Sequence, residues 1–115
     1  MGLKSVMHGP VAVLTPEGTL WGGDETNQLR DAIDELVKQG NMYLVLDLSK
    51  VNHLNSTALG LLVSTHTNYT KRGGSVKLCA LEKRISNLLV ITKLSMVFEV
   101  HETLEDALAS FASRA

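Results

Sequence analysis

Two short apolar runs at the start of the chain predict a pair of antiparallel strands. Leu3 to His8 is followed by the turn signal Gly9-Pro10, and Val11 to Thr15 then forms a β-branched, apolar run. Strands joined by so short a turn must be antiparallel, because a parallel pair needs a long crossover. Gly18 and the pair Gly22-Gly23 then predict a loop.

Apolar residues at helical spacing predict a first helix with one buried stripe, namely Leu29, Ala32, Ile33, Leu36 and Val37. Asp24 and Glu25 suit its first turn, where the helix dipole favours negative charge, and Gly40 suits its C-terminal cap. The strand Met42 to Leu48 follows. Its continuous apolar stretch is typical of a central strand covered on both faces.

The rest of the chain alternates between helical and strand patterns. Asn55 is a good N-cap for the second helix, and Gly73-Gly74 ends that segment. Gly60 inside this helix costs about 1 kcal/mol relative to Ala, so we expect close helix–sheet packing there. The predicted elements are the helix Ser56–Lys71, the strand Ser75–Ala80, the helix Glu82–Thr92, the strand Val97–His101 and a helix from Leu104.

This order predicts one α/β domain over residues 1–115. Strands that alternate with helices pair in parallel, so we expect a mixed, mostly parallel sheet of about five strands. The first strand is antiparallel, and about four helices pack on the sheet. Binding sites in such sheets favour the carboxyl ends of the strands, which directs attention to the turn after the central strand, Asp47–Leu59, where we expect a short loop before the second helix.

Composition and charge exclude several classes of function. The net charge is −1, and charged residues of both signs are spread along the chain. The sequence therefore has no basic stripe of the kind that indicates direct nucleic-acid binding. The longest apolar runs have a few residues, against the roughly 20 needed to cross a bilayer, so we expect no membrane insertion and no signal peptide. The single cysteine, Cys79, cannot form an internal disulfide and favours the cytoplasm, where we expect a buried structural thiol.

No motif for catalysis or cofactor binding is present. The chain has no phosphate-binding loop, no dinucleotide-binding glycine motif and no nucleophile elbow. The four histidines, His8, His53, His66 and His101, lack ligand spacing, so we expect no metal and no cofactor. Asp47 ends a central strand like the acceptor of a receiver domain, but the acidic pair that would hold Mg²⁺ is missing. We therefore expect a protein that binds other proteins and is not an enzyme.

A hydroxyl pair at the start of the second helix is the strongest candidate site. Ser56 and Thr57 follow Asn55 in the first helical turn, with side chains near solvent. These residue types are also the ones that cap helices in any protein, so local chemistry alone favours a structural role. Trp21 in the preceding loop is either a packing residue or an exposed anchor for a partner.

Several motifs in order resemble those of STAS domains, the family named for sulfate transporters and anti-sigma factor antagonists. The similarity covers nearly the whole chain. It rests on Val45–Val51, Leu54–Leu62, Gly18-Thr19-Leu20, Lys71–Gly74, Leu94–His101 and Thr103–Leu108.

The resemblance implies a stand-alone, bacterial anti-sigma factor antagonist. Such a protein binds an anti-sigma factor of the serine/threonine kinase type and frees a sigma factor, until the kinase phosphorylates it at a helix N-terminus. The family motif Asp-Ser-Ser/Thr-Gly aligns with Asn55–Ala58, so the acceptor is Thr57, with Ser56 as second choice. Asn55 and Ala58 depart from the motif. The implied partner-binding residues are His53, Asn55, Ser56, Thr57 and Ala58.

The sequence leaves a second reading open, a non-switching scaffold in a stressosome-like assembly or a membrane transporter complex. Threonine at the acceptor position is also seen in stressosome-type scaffolds of this fold. A weak homodimer is left open as well. A small-molecule or nucleotide-binding enzyme is the third reading, and the missing phosphate loop and catalytic cluster argue against it.

Overall fold

Seven strands and four α-helices follow one another along residues 3–112, the part of the chain that this computed structural model describes. Of the single domain expected over residues 1–115, residues 1–2 and 113–115 lie outside this part. The helices and five of the strands are those that the hydrophobic pattern predicts, with ends shifted by one or two residues. In order the elements are β1 (Leu3–His8), β2 (Val11–Pro16), β3 (Gly18–Leu20), α1 (Asp24–Lys38), β4 (Tyr43–Asp47), β5 (Val51–Leu54), α2 (Ser56–Lys71), β6 (Ser75–Cys79), α3 (Lys83–Ile91), a short 3₁₀ turn (Leu94–Met96), β7 (Glu99–His101) and α4 (Leu104–Ala112).

Five strands form one mixed sheet in the order β1-β2-β4-β6-β7. β1 is antiparallel to β2, and the other neighbouring pairs are parallel, which confirms the predicted topology. The central strand β4 lies between β2 and β6. Its residues Leu44, Val45 and Leu46 are fully buried, as expected for a strand covered on both faces.

Two segments that were expected to be loops are short strands, and this expectation was wrong. β3 and β5 pair in parallel, with Thr19 opposite His53 and Leu20 opposite Leu54. Strands of three and four residues are too short for a recognisable alternation, and each forms only because its partner is brought to it. The buried side chains of Leu20 and Leu54 join the core. This pair therefore holds the loop after β3 beside the start of α2.

The sheet separates two apolar cores, because successive strand residues point to opposite faces. The larger core contains Ala12, Leu44 and Leu78 from the sheet, packed against buried residues of α1, α2 and α3. The smaller core joins the opposite sheet face to α4, and its buried members are Val11, Val13, Val45, Cys79, Ala107 and Phe111.

The smaller core also contains a buried ammonium group. Lys77 is 1% exposed, and its Nζ donates to Ser110 Oγ at 2.6 Å and lies 3.0 Å from Glu99 Oε2. The same carboxylate oxygen contacts His101 Nε2 at 2.6 Å. Burial raises the pKa of Glu99, but the contacts with His101 and Lys77 outweigh burial and hold this pKa below its ordinary value. Lys77 is therefore buried beside a carboxylate partner and a hydroxyl acceptor.

The close backbone approach in this fold occurs at Gly74 and not at Gly60. A Cβ at Gly60 would meet no atom within 4 Å, so the expectation of close packing at that glycine was wrong. A Cβ at Gly74 would lie 2.2 Å from the carbonyl oxygen of Met42. Gly74 therefore allows the chain to enter β6 directly beside β4.

Candidate phosphorylation and partner-binding site

The start of α2 is built by Asn55, which follows β5 directly. Its backbone is extended (φ −108°, ψ −173°), and its Oδ1 accepts a hydrogen bond from the Ala58 amide. The N···O distance is 3.1 Å. This satisfies one of the amides that a helix leaves without an internal partner at its first turn. The predicted N-cap is thus confirmed.

The first turn of α2 exposes two of its three short side chains. Ser56 and Thr57 are exposed, so both hydroxyls are within reach of another protein. Ala58 is 1% exposed and belongs to the larger core, because its position faces the sheet. Its methyl group therefore does not line the surface on which the partner-binding residues were expected. Any contact made by position 58 would involve the backbone.

The loop between β3 and α1 lies against this turn. Asn55 Nδ2 donates to the carbonyl oxygen of Trp21 at 2.9 Å, and the Asn55 amide donates to Leu20 O at 3.1 Å. Gly22 has φ +90°, and a Cβ there would lie 3.2 Å from Cγ2 of Thr57. Position 22 therefore requires glycine for its backbone conformation, and a side chain there would also press on Thr57.

A row of side chains extends from this loop toward α3. Trp21 is 60% exposed, and its ring lies edge-on to His53 with centroids 6.1 Å apart. His53 Nε2 is in hydrogen-bond contact with Arg84 NH1. Arg84 lies about 30 residues away along the chain and was not among the expected site residues, since only packing of α3 beside β5 places it there. Trp21 is exposed, as the anchor reading required.

The electrostatics of the turn favour an anion. The first turn of α2 has no acidic side chain, in contrast to α1, which begins with Asp24 and Glu25. A 16-residue helix presents partial positive charge at its first turn through its aligned peptide dipoles. The surroundings of Thr57 are therefore suited to receiving negative charge.

Other reactive groups lie away from this turn or are inert. Burial and, to a lesser extent, the nearby charge of Asp47 raise the pKa of Cys79 to about 12, so its thiol stays protonated. Between residues 3 and 112, no three His, Cys, Asp or Glu side chains are grouped so as to hold a metal ion. Over the same range, no helix has the length and apolar character to cross a membrane.

Comparison with known proteins places this architecture in a family. A model described as the STAS domain matches residues 4–107. The chain is 36% identical over 72 residues to the anti-sigma-B factor antagonist of Bacillus subtilis strain 168. That alignment covers 63% of this chain and 65% of the relative, slightly less than two thirds of its length.

Solved structures agree in fold. The crystal structure of an anti-sigma factor antagonist from Mycobacterium paratuberculosis has a TM-score of 0.83 at 27% identity, and the match covers 95% of this chain and 92% of that chain. The Bacillus cell fate determinant SpoIIAA in its phosphorylated form has a TM-score of 0.77 at 16% identity, covering 96% of this chain and 99% of that one. Because the family model spans most of the 115 residues, the chain belongs to the STAS domain family.

Proposed function

We propose that this chain is a cytoplasmic anti-sigma factor antagonist that acts by binding and not by catalysis. In its unphosphorylated form it binds an anti-sigma factor of the serine/threonine kinase type, and the sigma factor is released. Transfer of a phosphoryl group to Thr57 ends the interaction. The main support is the exposed side chain of Thr57 in the first turn of α2, a turn without acidic side chains. The names of the Bacillus and Mycobacterium relatives support the general role.

The helix terminus explains why phosphorylation would leave the domain folded. Phosphate on Thr57 Oγ1 adds about −1.5 to −2 charges at neutral pH. Free amides and the positive end of the α2 dipole face that charge, which is the arrangement of many natural phosphate sites. Thr57 is exposed, so the phosphate also remains hydrated. The modification therefore changes the surface and leaves the core intact.

The same charge would dissociate a partner that packs on the turn. Asn55 and Ser56 directly precede Thr57, and the loop at Gly22 lies against it, so a protein packed on this turn would bury the phosphate. Burying an unpaired dianion costs several kcal/mol, and each 1.4 kcal/mol weakens binding tenfold. A micromolar complex would therefore fall apart.

The test combines capture with mapping of the phosphate. Tagged protein is isolated from its host with phosphatase inhibitors, and both bait and partners are analysed by mass spectrometry. We expect a kinase-like anti-sigma factor in the eluate and phosphate on Thr57 in part of the bait. The purified partner and ATP should then phosphorylate the wild type and Ser56→Ala, but not Thr57→Ala.

Two results would contradict the proposal. Phosphate that remains on Thr57→Ala and disappears from Ser56→Ala would move the switch to Ser56. Recovery of transporter subunits or other STAS proteins, with Thr57 unmodified, would replace the switch with the scaffold function.

A further inference from the structure

We infer that Trp21, His53 and Arg84 form a second contact surface beside Thr57. This surface binds a segment of the anti-sigma partner that presents an apolar group and a carboxylate. Asn55 holds the surface in its binding shape. This inference rests on the proposed function. It adds residues that lie outside α2 and assigns the side chain of Asn55 a role beyond capping.

Asn55 joins two parts of the chain through both ends of its amide group. Its Oδ1 accepts from the Ala58 amide at 3.1 Å, and its Nδ2 donates to Trp21 O at 2.9 Å. The first bond starts the helix, and the second fixes the backbone that bears the indole. At the far side of the loop, the Gly22 amide donates to Thr26 Oγ1 at 2.9 Å. The loop is thus tied down on both sides of its exposed tryptophan.

The surface is contiguous from Thr57 to α3. Gly22 packs on Thr57, Trp21 contacts His53 edge-on, and His53 contacts Arg84. Beyond His53, a groove of about 390 Å³ runs between β5 and α3, lined in part by Leu88 and Ile91. Ile91 is 78% exposed, so the groove that begins at His53 leaves a large aliphatic surface uncovered.

The charge of the groove indicates what would fill it. Its lining residues include the guanidinium of Arg84 and no carboxylate. Helix α3 begins with Lys83 and Arg84 and contains no acidic residue. An acidic group with an adjacent apolar side chain complements this combination, whereas a basic segment would be repelled. Tryptophan and arginine are also the side chains that most often dominate binding energy at interfaces.

The hold of Asn55 on Trp21 can be tested in the free protein. Trp21 is the only tryptophan in the chain, so intrinsic fluorescence reports on this loop alone. Asn55→Asp keeps the oxygen that caps α2 and removes the donor to Trp21 O. Time-resolved anisotropy should show greater fast motion of the indole in Asn55→Asp than in the wild type.

Asn52→Asp is the matched control for this measurement. Asn52 lies on β5 and is exposed, and its Oδ1 accepts from Thr19 Oγ1, which an aspartate can also do. We expect Asn52→Asp to leave the indole motion unchanged. Equal motion in Asn55→Asp and the wild type would overturn the role of Asn55.

The contact surface is tested by capture from the host lysate with variant baits, with the kinase-like anti-sigma factor quantified by mass spectrometry. Trp21→Ala and Arg84→Glu should each lower its recovery at least about tenfold. Lys4→Glu reverses a charge on the exposed edge strand β1 and should recover it like the wild type. Asn55→Asp should give an intermediate loss of about two- to tenfold.

Thr57→Asp separates failure of this surface from failure of the proposed function. If Thr57→Asp loses the partner while Trp21→Ala and Arg84→Glu keep it, the function stands and the second surface is refuted. If Thr57→Asp recovers the partner as well as the wild type, or if no bait recovers such a partner, both proposals fail.

Discussion

Replacing Thr57 with aspartate should stabilise the free domain slightly and weaken partner binding strongly. Thr57 is the second residue of α2, and its side chain is exposed. A negative charge in the first turn of a helix contributes about 0.3–1 kcal/mol. For a domain of 115 residues this corresponds to a rise in Tm of about 1–4 °C. Aspartate also lacks the methyl group that approaches Gly22, so no clash offsets the gain.

The effect on binding should have the opposite sign and be larger. A partner packed on the first turn would bury the new carboxylate without a cation from this chain, because no basic side chain among the described residues forms a hydrogen bond with Thr57. A penalty of about 3 kcal/mol corresponds to roughly a hundredfold increase in Kd. Thr57→Ala creates no charge and should bind within about threefold of the wild type.

Two measurements on the same preparations check both predictions. Titration calorimetry gives the change in Kd, and thermal unfolding gives the change in Tm. Thr67→Asp is the matched control, since Thr67 is exposed on the same helix ten residues later, about 15 Å along its axis. Thr67→Asp should bind like the wild type. The reasoning is refuted if Thr57→Asp and Thr57→Ala bind equally, or if Thr57→Asp loses binding together with a lowered Tm.

Three further predictions concern the scaffold. In urea unfolding, Gly60→Ala should add about 1 kcal/mol of stability, because the position is helical and open. Gly74→Ala should lose at least about 1–3 kcal/mol, because its Cβ would collide with Met42 O. Equal stabilities of the two variants would contradict the close approach of Gly74 to Met42. Cys79 should not react with iodoacetamide at pH 8 in the folded protein, since its thiol is fully buried with a pKa of about 12, and fast labelling of the native state would be incompatible with that burial. The free energy of unfolding of Lys77→Met should lie within about 1 kcal/mol of the wild type, because methionine fills the same space and the partner carboxylate of Glu99 is 44% exposed. Lys77→Ala leaves a cavity and should lose about 2–4 kcal/mol. A larger loss for Lys77→Met than for Lys77→Ala in denaturant unfolding would refute this reasoning.

The resemblance identified the family, and the residue pattern identified the capped start of α2 as the candidate site. The alternation and helical spacing predicted all four helices and the strands of the main sheet. Asn55 was expected to cap α2 and does so. The roles of Ser56 and Thr57 stay predictions, since exposure makes a hydroxyl available without showing that a kinase uses it.

Short-range pattern could not reveal the features that depend on distant contacts. β3 and β5 have three and four residues, and their pairing is decided by where the main sheet brings them. Lys77 is the one charged residue of β6, and its burial depends on α4, which covers it, and on Glu99, which supplies its partner from β7. Neither environment could be read from neighbours along the chain.

The amino-acid sequence by itself determined the four helices, the strands of the main sheet, their directions and the capped helix start, because these depend on periodicity, on the order of the elements and on backbone chemistry between near neighbours. Only the tertiary structure decided which loop would cover that helix start. The bond from Asn55 to Trp21 O spans 34 positions, and the contact of Arg84 with His53 spans 31. Such contacts arise when packing of the two cores fixes the relative positions of whole elements, so they follow from the fold and not from local preference.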